Sequence, residues 1–133
     1  MDLDVSHLKR AIDTLDVALK VYEKTPNEFV RDSIIQRFEY TYDAAVKMIK
    51  KYLEMNVVSA EIQSLTFKEL IRYAFEAEII KDSVVQWDAY RLMRNKTTHA
   101  YDLMIANATC ESIPQFLEAV QYLAKKLEER ANR

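Results

Sequence analysis

Three stretches of the chain carry apolar residues at alternating spacings of three and four, which is the spacing of one face of an α-helix. Their members are Val5, Leu8, Ile12, Leu15, Leu19 and Tyr22; Ile35, Phe38, Tyr42, Ala45, Ile49 and Tyr52; and Ile113, Phe116, Val120, Leu123 and Leu127. No segment keeps the strict apolar–polar alternation of a half-buried strand. The pattern predicts an all-α protein.

Signals for helix starts accompany these stripes. The segment Thr25–Glu28 combines a capping Thr, a Pro at the first helical position and a Glu that closes a capping box. The same box spacing recurs at Thr66…Glu69, Ser83…Gln86 and Ser112…Gln115. We predict helices over 5–24, 26–55, 67–80, 84–108 and 113–131. The longest connection is then 56–65.

Four long amphipathic helices with mostly short connections are typical of an up-and-down four-helix bundle. We expect the additional short helix, 67–80, to pack across one end of that bundle. The chain has 133 residues, half of them hydrophobic and 30% charged. It therefore suits one globular domain spanning residues 1–133.

The chain contains no Gly. Phosphate-cradling loops and dinucleotide fingerprints need the backbone freedom of Gly, so we predict that the protein binds no ATP or NAD cofactor of the common kinds. Helices are then expected to end at Asn, such as Asn56 or Asn107, or by fraying.

The one acid that stands three residues before a His is Asp4, before His7. A di-iron bundle needs two such pairs, so we predict no metal site.

Charge and cysteine content constrain the partners and the compartment. The net charge is −2, so any contact with RNA must rely on a local patch. The single cysteine, Cys110, cannot form an internal disulfide, which suits a reducing compartment. The segment Met1–Asp4 is acidic where a secretory signal is basic, and the longest uncharged run, 103–110, is too short to span a membrane. We expect a soluble, cytoplasmic protein with no membrane partner.

The apolar stripe of the predicted helix 84–108 is thinner than the others; its members are Ala89, Met93, Thr97, Ala100 and Met104. Trp87 and Tyr90 border this stripe. Aromatic side chains left in water there would form an exposed apolar patch. We therefore predict a homodimer in which the two copies of this helix approach each other.

Polar residues flank the same stripe. On a continuous helix Arg94 and Tyr101 lie on nearly the same side, two turns apart, and Asn95 is the i, i+4 neighbour of His99. The pattern Arg94-x4-His99-x-Tyr101, with Asn95 directly after the Arg, resembles the signature of the HEPN superfamily. More narrowly, the chain resembles the HepT toxins and the nucleotidyltransferase substrate-binding proteins encoded beside minimal nucleotidyltransferases. Trp87 upstream and Asp102 downstream are similar to the substrate-binding branch.

The resemblance implies metal-independent RNA cleavage at a composite site formed by two chains. His99 is suited to deprotonate a ribose 2′-hydroxyl, because histidine exchanges protons near neutral pH. Arg94 is suited to hold the scissile phosphate, and Asn95 to orient the ring of His99. The resemblance further implies a cognate minimal nucleotidyltransferase that acts as antitoxin by adding AMP to Tyr101.

Other interpretations of these residues stay open. Arg94 can pair with an acid on a helix surface, Tyr101 can serve in packing, and Arg91, Arg94 and Lys96 can form either an RNA-facing patch or a solvated face. At the level of function, the main alternative is a non-catalytic binding subunit that presents a substrate to its nucleotidyltransferase. A purely structural dimerisation bundle leaves Asn95, His99 and Tyr101 unexplained.

Overall fold

The computed structural model describes residues 3–56 and 62–131, and all regular structure within these ranges is helical. The α-helices are α1 (Ser6–Lys24), α2 (Glu28–Asn56), α3 (Phe67–Glu76), α4 (Val84–Lys96) and α5 (Leu103–Ala131). Short 3-10 turns lie at Ile62–Ser64 and Thr97–His99. The predicted all-α class is confirmed over the described residues. Of the long connection predicted at 56–65, residues 57–61 lie outside them.

The three apolar stripes form the core. Every member is buried except Leu19 and Tyr22, which are partly buried. Helix α1 packs along α2, α5 packs against both, α4 contacts α2 and α5, and the short α3 contacts α4 and α2. Full burial of one Leu, Ile or Phe side chain stabilises by about 1.5–3 kcal/mol, whereas the helix propensities of residues other than Gly and Pro differ by at most about 0.7 kcal/mol. Packing of these stripes therefore determines the bundle.

Helix α3 shows one predicted start signal and one unpredicted end. The capping box forms, because the Glu69 N–H donates to Thr66 Oγ1 (3.1 Å) and the Thr66 N–H donates to Glu69 Oε1 (2.9 Å). The helix ends at Glu76 rather than at 80 because Glu78 has a left-handed backbone, with φ 62°. The N–H groups of Glu78 and Ile79 then close the final turn by donating to carbonyls of that turn. The expectation that Asn or fraying ends the helices is wrong here.

The other predicted capping boxes do not form. Helix α2 begins at Glu28, and its cap is Asn27, whose Oδ1 accepts the Val30 N–H at 2.9 Å. The side chain of Ser83 makes no cap hydrogen bond. Ser112 lies inside α5 and donates to the Ala108 carbonyl (3.1 Å). Asn107 also lies inside α5, whereas Asn56 is the last residue of α2, as expected.

The predicted helix 84–108 is wrong, because α4 ends at Lys96 and α5 begins at Leu103. Thr97 Oγ1 donates to the Arg94 carbonyl (2.7 Å), and the Asp102 N–H donates to the His99 carbonyl (2.9 Å). These short-range bonds compete with the regular helical ladder. Asp102 Oδ1 then accepts the Met104 N–H (2.9 Å) and starts the next helix.

The predicted start of the last helix at 113 is also wrong, since α5 begins at Leu103 and contains Pro114. A Pro inside a helix costs about 3 kcal/mol because it removes one backbone donor and crowds the preceding turn. The buried side chains of Ala106, Thr109 and Ile113 continue the inward face of α5 across this point. Burial of that face offsets the cost of Pro114. Within the described ranges, no helix has the length and apolar character needed to cross a bilayer.

Candidate functional site

The residues of the candidate site lie on the last turn of α4 and on the turn that follows it. Arg94 and Asn95 belong to α4, His99 to the 3-10 turn, and Tyr101 to the link before Asp102. The helix predicted to carry all four is therefore interrupted between them. The spacing of two helical turns between Arg94 and Tyr101 does not apply. The chain nevertheless brings all four residues to one corner of the molecule.

The guanidinium of Arg94 is held by two carboxylates of α2. Its Nε and Nη2 donate to the two oxygens of Asp43 (3.1 and 3.0 Å), and its Nη1 donates to Glu39 Oε2 (3.0 Å). Nη1 also lies 3.3 Å from Thr97 Oγ1. The side chain of Arg94 is 25% exposed. Hydrogen bonding to Asp43, together with the charges of Asp43 and Glu39, raises the pKa of Arg94 above its ordinary value.

This cluster changes the interpretation of Arg94. One positive charge lies between two negative charges, so the group carries a net charge of −1 and repels a phosphate that approaches from a distance. The structure thus shows Arg94 paired with acids on a helix surface, which was one of the interpretations left open by the sequence. The same pairs fix the end of α4 against the middle of α2.

His99 and Tyr101 contact each other on the exposed turn. His99 Nδ1 lies 3.1 Å from the Tyr101 hydroxyl oxygen, and the two rings meet edge to face with centroids 5.8 Å apart. Tyr101 is 85% exposed, and His99 is exposed as well. A ring that accepts a proton at Nε2 must carry its own proton on Nδ1, which then donates to the tyrosine oxygen. The Tyr101 hydroxyl can accept a hydrogen bond from Nδ1 in this tautomer and can donate one to Nδ1 in the other, so the contact is compatible with a proton-accepting Nε2.

Asn95 is exposed on the last turn of α4. Its backbone carbonyl accepts a hydrogen bond from Thr98 Oγ1 (3.3 Å). The hydrogen bond that the structure shows at the His99 ring is made with Tyr101 rather than with Asn95. The supporting role of Asn95 stays a prediction.

A groove of about 300 Å³ connects Tyr101 with α2. Thr97, Ala100 and Tyr101 form one wall, and the α2 wall includes Gln36 and Glu39. Glu39 thus contacts Arg94 and also lines the groove beside Tyr101. The sequence pattern does not single out Glu39 or Asp43 as site residues. The available signal was their spacing of four on a predicted helix, which puts both carboxylates on one face.

The aromatic residues assigned to the dimer seam lie elsewhere. Trp87 and Tyr90 are buried in the protein's own core, where Trp87 packs edge to face on Tyr90, and Tyr90 on Phe116, with centroids 5.3 and 5.2 Å apart. The prediction that these two rings border an exposed seam is wrong. Tyr90 is further held by its hydroxyl, which donates to Asp82 Oδ2 (3.1 Å).

An apolar surface does exist on the outer side of α4 and the first turns of α5, and we call it the α4–α5 face. Met104 is 82% exposed and Leu92 48% exposed. They line a groove of about 330 Å³ between the two helices, together with Ala89, Met93 and Ile105. Three members of the predicted thin stripe, Ala89, Met93 and Met104, are thus on this face. Thr97 is buried instead.

Two of the three basic residues of α4 that could form an RNA-facing patch are paired with acids. Arg91 donates to Asp88 Oδ1 from Nε (3.1 Å) and Nη2 (2.8 Å) and lies over the ring of Phe67. Arg94 is paired with Asp43 and Glu39, as described above. Lys96 is exposed.

Within residues 3–56 and 62–131, no three His, Cys, Asp or Glu side chains are grouped so that they could hold a metal ion. Cys110 is half-buried in α5, and burial raises the pKa of its thiol to about 11. The titratable groups at the corner include the imidazole of His99, the phenol of Tyr101, and the guanidinium of Arg94 with the two carboxylates that it contacts.

Comparisons with known proteins agree with this fold. Residues 3–129 match the family described as nucleotidyltransferase substrate binding protein like. A Haemophilus influenzae protein described as probable ribonuclease HepT is 36% identical over 97 residues, which are 72% of this chain and 66% of that protein, just under two thirds of its length.

Two solved structures are similar over nearly the whole chain. One, from Haemophilus influenzae, is described as revealing the fold of a substrate binding domain of a nucleotidyltransferase; it matches with a TM-score of 0.85 at 28% identity, over 94% of this chain and 99% of that one. A Thermus thermophilus protein matches with a TM-score of 0.77 at 26% identity, over 90% of this chain and 98% of that one. The chain belongs to the nucleotidyltransferase substrate-binding protein-like family.

Proposed function

We propose that this protein is a HepT-like, metal-independent endoribonuclease, which acts in the cytoplasm as the toxin of a nucleotidyltransferase-linked toxin–antitoxin pair. The observation that carries the proposal is the contact between His99 Nδ1 and the Tyr101 hydroxyl on an exposed turn. Tyr101 lines the same groove as Glu39, which accepts a hydrogen bond from Arg94. The similarity to a protein described as a probable ribonuclease supports it.

The proposed reaction is a transesterification within the RNA backbone. His99 Nε2 removes the proton of a ribose 2′-hydroxyl, and the resulting oxygen attacks the adjacent phosphorus. The bond to the 5′-oxygen breaks, and that oxygen takes a proton from an acid, which leaves a 2′,3′-cyclic phosphate and a 5′-hydroxyl. Arg94 stabilises the charge that develops on the phosphate oxygens.

One chain supplies one His at this corner, whereas the reaction uses both a base and an acid. We propose that a homodimer supplies the second, with the His99 of the other copy as the acid. The α4–α5 face is the surface for this dimer, because apolar side chains such as Leu92 and Met104 are exposed there next to the site. A self-complementary apolar patch is what a two-fold interface requires.

Regulation is proposed to act through Tyr101. Its phenol is the most exposed aromatic side chain at the corner, so the cognate nucleotidyltransferase has access to it. Transfer of AMP from ATP to the phenol oxygen releases pyrophosphate and replaces the O–H group by a phosphodiester. The modified oxygen is a poorer partner for His99 Nδ1, and the added phosphate blocks the groove beside Tyr101. The toxin is thereby silenced.

The test is cleavage of total RNA and tRNA in excess EDTA by the purified wild type, His99→Ala and His7→Ala. His7 is the matched control, since it is the other His of the chain and is also exposed. The proposal expects cleavage by the wild type and His7→Ala, and none by His99→Ala. Full activity in His99→Ala would rule out the catalytic assignment.

A second candidate function has an observation in its favour. The paired state of Arg94, with Asp43 and Glu39 on its guanidinium, suits a non-catalytic subunit in which this residue is purely structural. Such a subunit presents a substrate to its nucleotidyltransferase. The cleavage assay and a binding assay with the cognate nucleotidyltransferase together distinguish the two functions. This candidate expects no cleavage by any variant and tight binding of the nucleotidyltransferase.

A further inference from the structure

The two carboxylates that hold Arg94 do so on different edges of the guanidinium. Asp43 occupies the edge formed by Nε and Nη2 with both of its oxygens, at 3.1 and 3.0 Å. Glu39 places a single oxygen 3.0 Å from Nη1. A two-point contact fixes the plane of a guanidinium, whereas a one-point contact leaves it free to rotate about that bond. Asp43 therefore orients Arg94, and Glu39 does not.

The position of Glu39 relative to the groove adds a second distinction. Glu39 lines the groove beside Tyr101, and Asp43 is not among the residues that line it. The Nη1 side of Arg94 is therefore the side next to the groove. A molecule lying in that groove meets the carboxylate of Glu39 before it meets the guanidinium.

A carboxylate and a phosphodiester offer a guanidinium the same kind of anionic oxygen acceptor. If a phosphodiester enters the groove, it competes with Glu39 for Nη1, while the opposite edge of Arg94 stays bonded to Asp43. With Glu39 in place, the Arg94 cluster carries a net charge of −1. Removal of the Glu39 carboxylate makes the Arg94 cluster neutral and leaves an Nη1 donor of Arg94 pointing to the side of the groove.

We propose that Glu39 occupies the place of an RNA phosphodiester on Arg94, and that Asp43 is the residue that positions the guanidinium to receive it. The inference rests on the proposed function, since it takes RNA as the ligand of the groove. RNA binding then requires the Glu39 side chain to leave Nη1. The Glu39 carboxylate therefore competes with RNA and weakens its binding, whereas the Asp43 carboxylate strengthens RNA binding.

The test measures binding separately from cleavage. The probe is a fluorescent 2′-O-methyl RNA oligonucleotide, which lacks the 2′-hydroxyl needed for cleavage, and its Kd is measured by anisotropy at several salt concentrations. The variants are Glu39→Gln and Asp43→Asn. Glu118→Gln is the control, because it removes the same charge and breaks an ion pair with Lys81. Lys81 precedes the first residue of α4, at the end of that helix away from Arg94.

Glu39→Gln is expected to bind about 1.5-fold to fivefold more tightly than Glu118→Gln, which corresponds to the free energy of one partly exposed ion pair. Its plot of log Kd against log salt should be steeper by about 0.7, the value for one additional single-strand phosphate contact. Asp43→Asn also removes one negative charge, but it removes the contact that positions the Arg94 guanidinium as well. The Asp43→Asn variant should therefore bind RNA no more tightly than Glu118→Gln. Equal tightening in Glu39→Gln and Asp43→Asn, or none in Glu39→Gln, would overturn the inference.

Glu39→Asp provides a second variant in case the amide disturbs folding. It keeps the charge and shortens the side chain, so tighter binding than in Glu118→Asp supports displacement from Nη1, and unchanged binding contradicts it. Thermal unfolding of each variant confirms that it is folded. Cleavage of unmodified RNA is assayed in parallel. Absence of cleavage together with the expected order of affinities defeats the nuclease proposal and leaves this inference standing, whereas cleavage with the wrong order defeats the inference alone.

Discussion

The pair formed by Arg94 and Asp43 joins the end of α4 to α2, and its loss is expected to lower the free energy of unfolding. Exposed ion pairs contribute about 0.2–1 kcal/mol. This pair is bidentate, with an Arg94 side chain that is 25% exposed and an Asp43 side chain that is 57% exposed. Its coupling energy should therefore lie near the upper end of that range, about 1 kcal/mol.

A double-mutant cycle measures this coupling. The wild type, Arg94→Ala, Asp43→Ala and the double variant are unfolded in urea, and the coupling is the departure of the double variant from additivity. The chain has a single tryptophan, Trp87, and it is fully buried. Its fluorescence therefore reports on unfolding of the core without an added label.

A matched cycle on Arg91 and Asp88 supplies the control. These residues form an i, i+3 pair on α4 alone, with Arg91 Nη2 and Asp88 Oδ1 2.8 Å apart. A pair of this kind within one helix contributes about 0.2–0.5 kcal/mol. If the coupling between Arg94 and Asp43 does not exceed that of the control, the two carboxylates do not hold the guanidinium as described. The positioning role of Asp43 would then have no basis.

Four further outcomes are expected. The wild type should sediment as a dimer at micromolar concentration and Leu92→Glu as a monomer; a monomeric wild type contradicts the dimer face. Co-expression with the nucleotidyltransferase should add the mass of AMP to the wild type and to the control Tyr73→Phe, but not to Tyr101→Phe. The cleavage rate of Tyr101→Phe should stay within about tenfold of the wild-type rate, because the substitution removes one exposed hydrogen bond. Glu78→Gly should stabilise by about 0.5–1 kcal/mol in thermal unfolding, because Gly relieves the left-handed φ of 62°; destabilisation contradicts this. Burial raises the pKa of the Cys110 thiol from 9.0 to about 11, so alkylation at pH 8 should be about a hundredfold slower than for a free thiol; equal rates contradict it.

The sequence pattern was sufficient for the parts of the fold that depend on long, regular burial. The stripes that begin at Val5, Ile35 and Ile113 are all in the core because a helix of the right period has only one way to bury such a stripe. The pattern failed at the turn between α4 and α5. Residues 84–108 contain no Gly or Pro to mark a break. The break depends on hydrogen bonds made by Thr97 and Asp102, residue types that also occur inside helices.

The sequence motif was sufficient to propose the candidate residues that lie close together in the chain, but not the residues of α2 that contact them. The motif located Arg94, His99 and Tyr101, and the structure brings them to one corner. The acids that hold Arg94 are 51 and 55 residues away in sequence. With 21 Asp and Glu residues in the chain, no local rule selects Asp43 and Glu39 as its partners. Their pairing follows from the packing of α4 on α2, which only the folded chain defines.

The interruption of the helix also bears on how the proposed dimer and the proposed site depend on each other. Met104, on the α4–α5 face, follows Tyr101 by three residues, and Leu92 precedes Arg94 by two, so the apolar face and the site share one stretch of chain. Arg94 is fixed to α2, whereas His99 and Tyr101 lie on the exposed turn. Pairing two copies through the α4–α5 face therefore brings two turns together and leaves each Arg94 on its own bundle. Under this proposal a variant such as Leu92→Glu should lose cleavage although residue 92 contacts neither His99 nor the phosphate, because the proposed dimer takes its second His from the other copy.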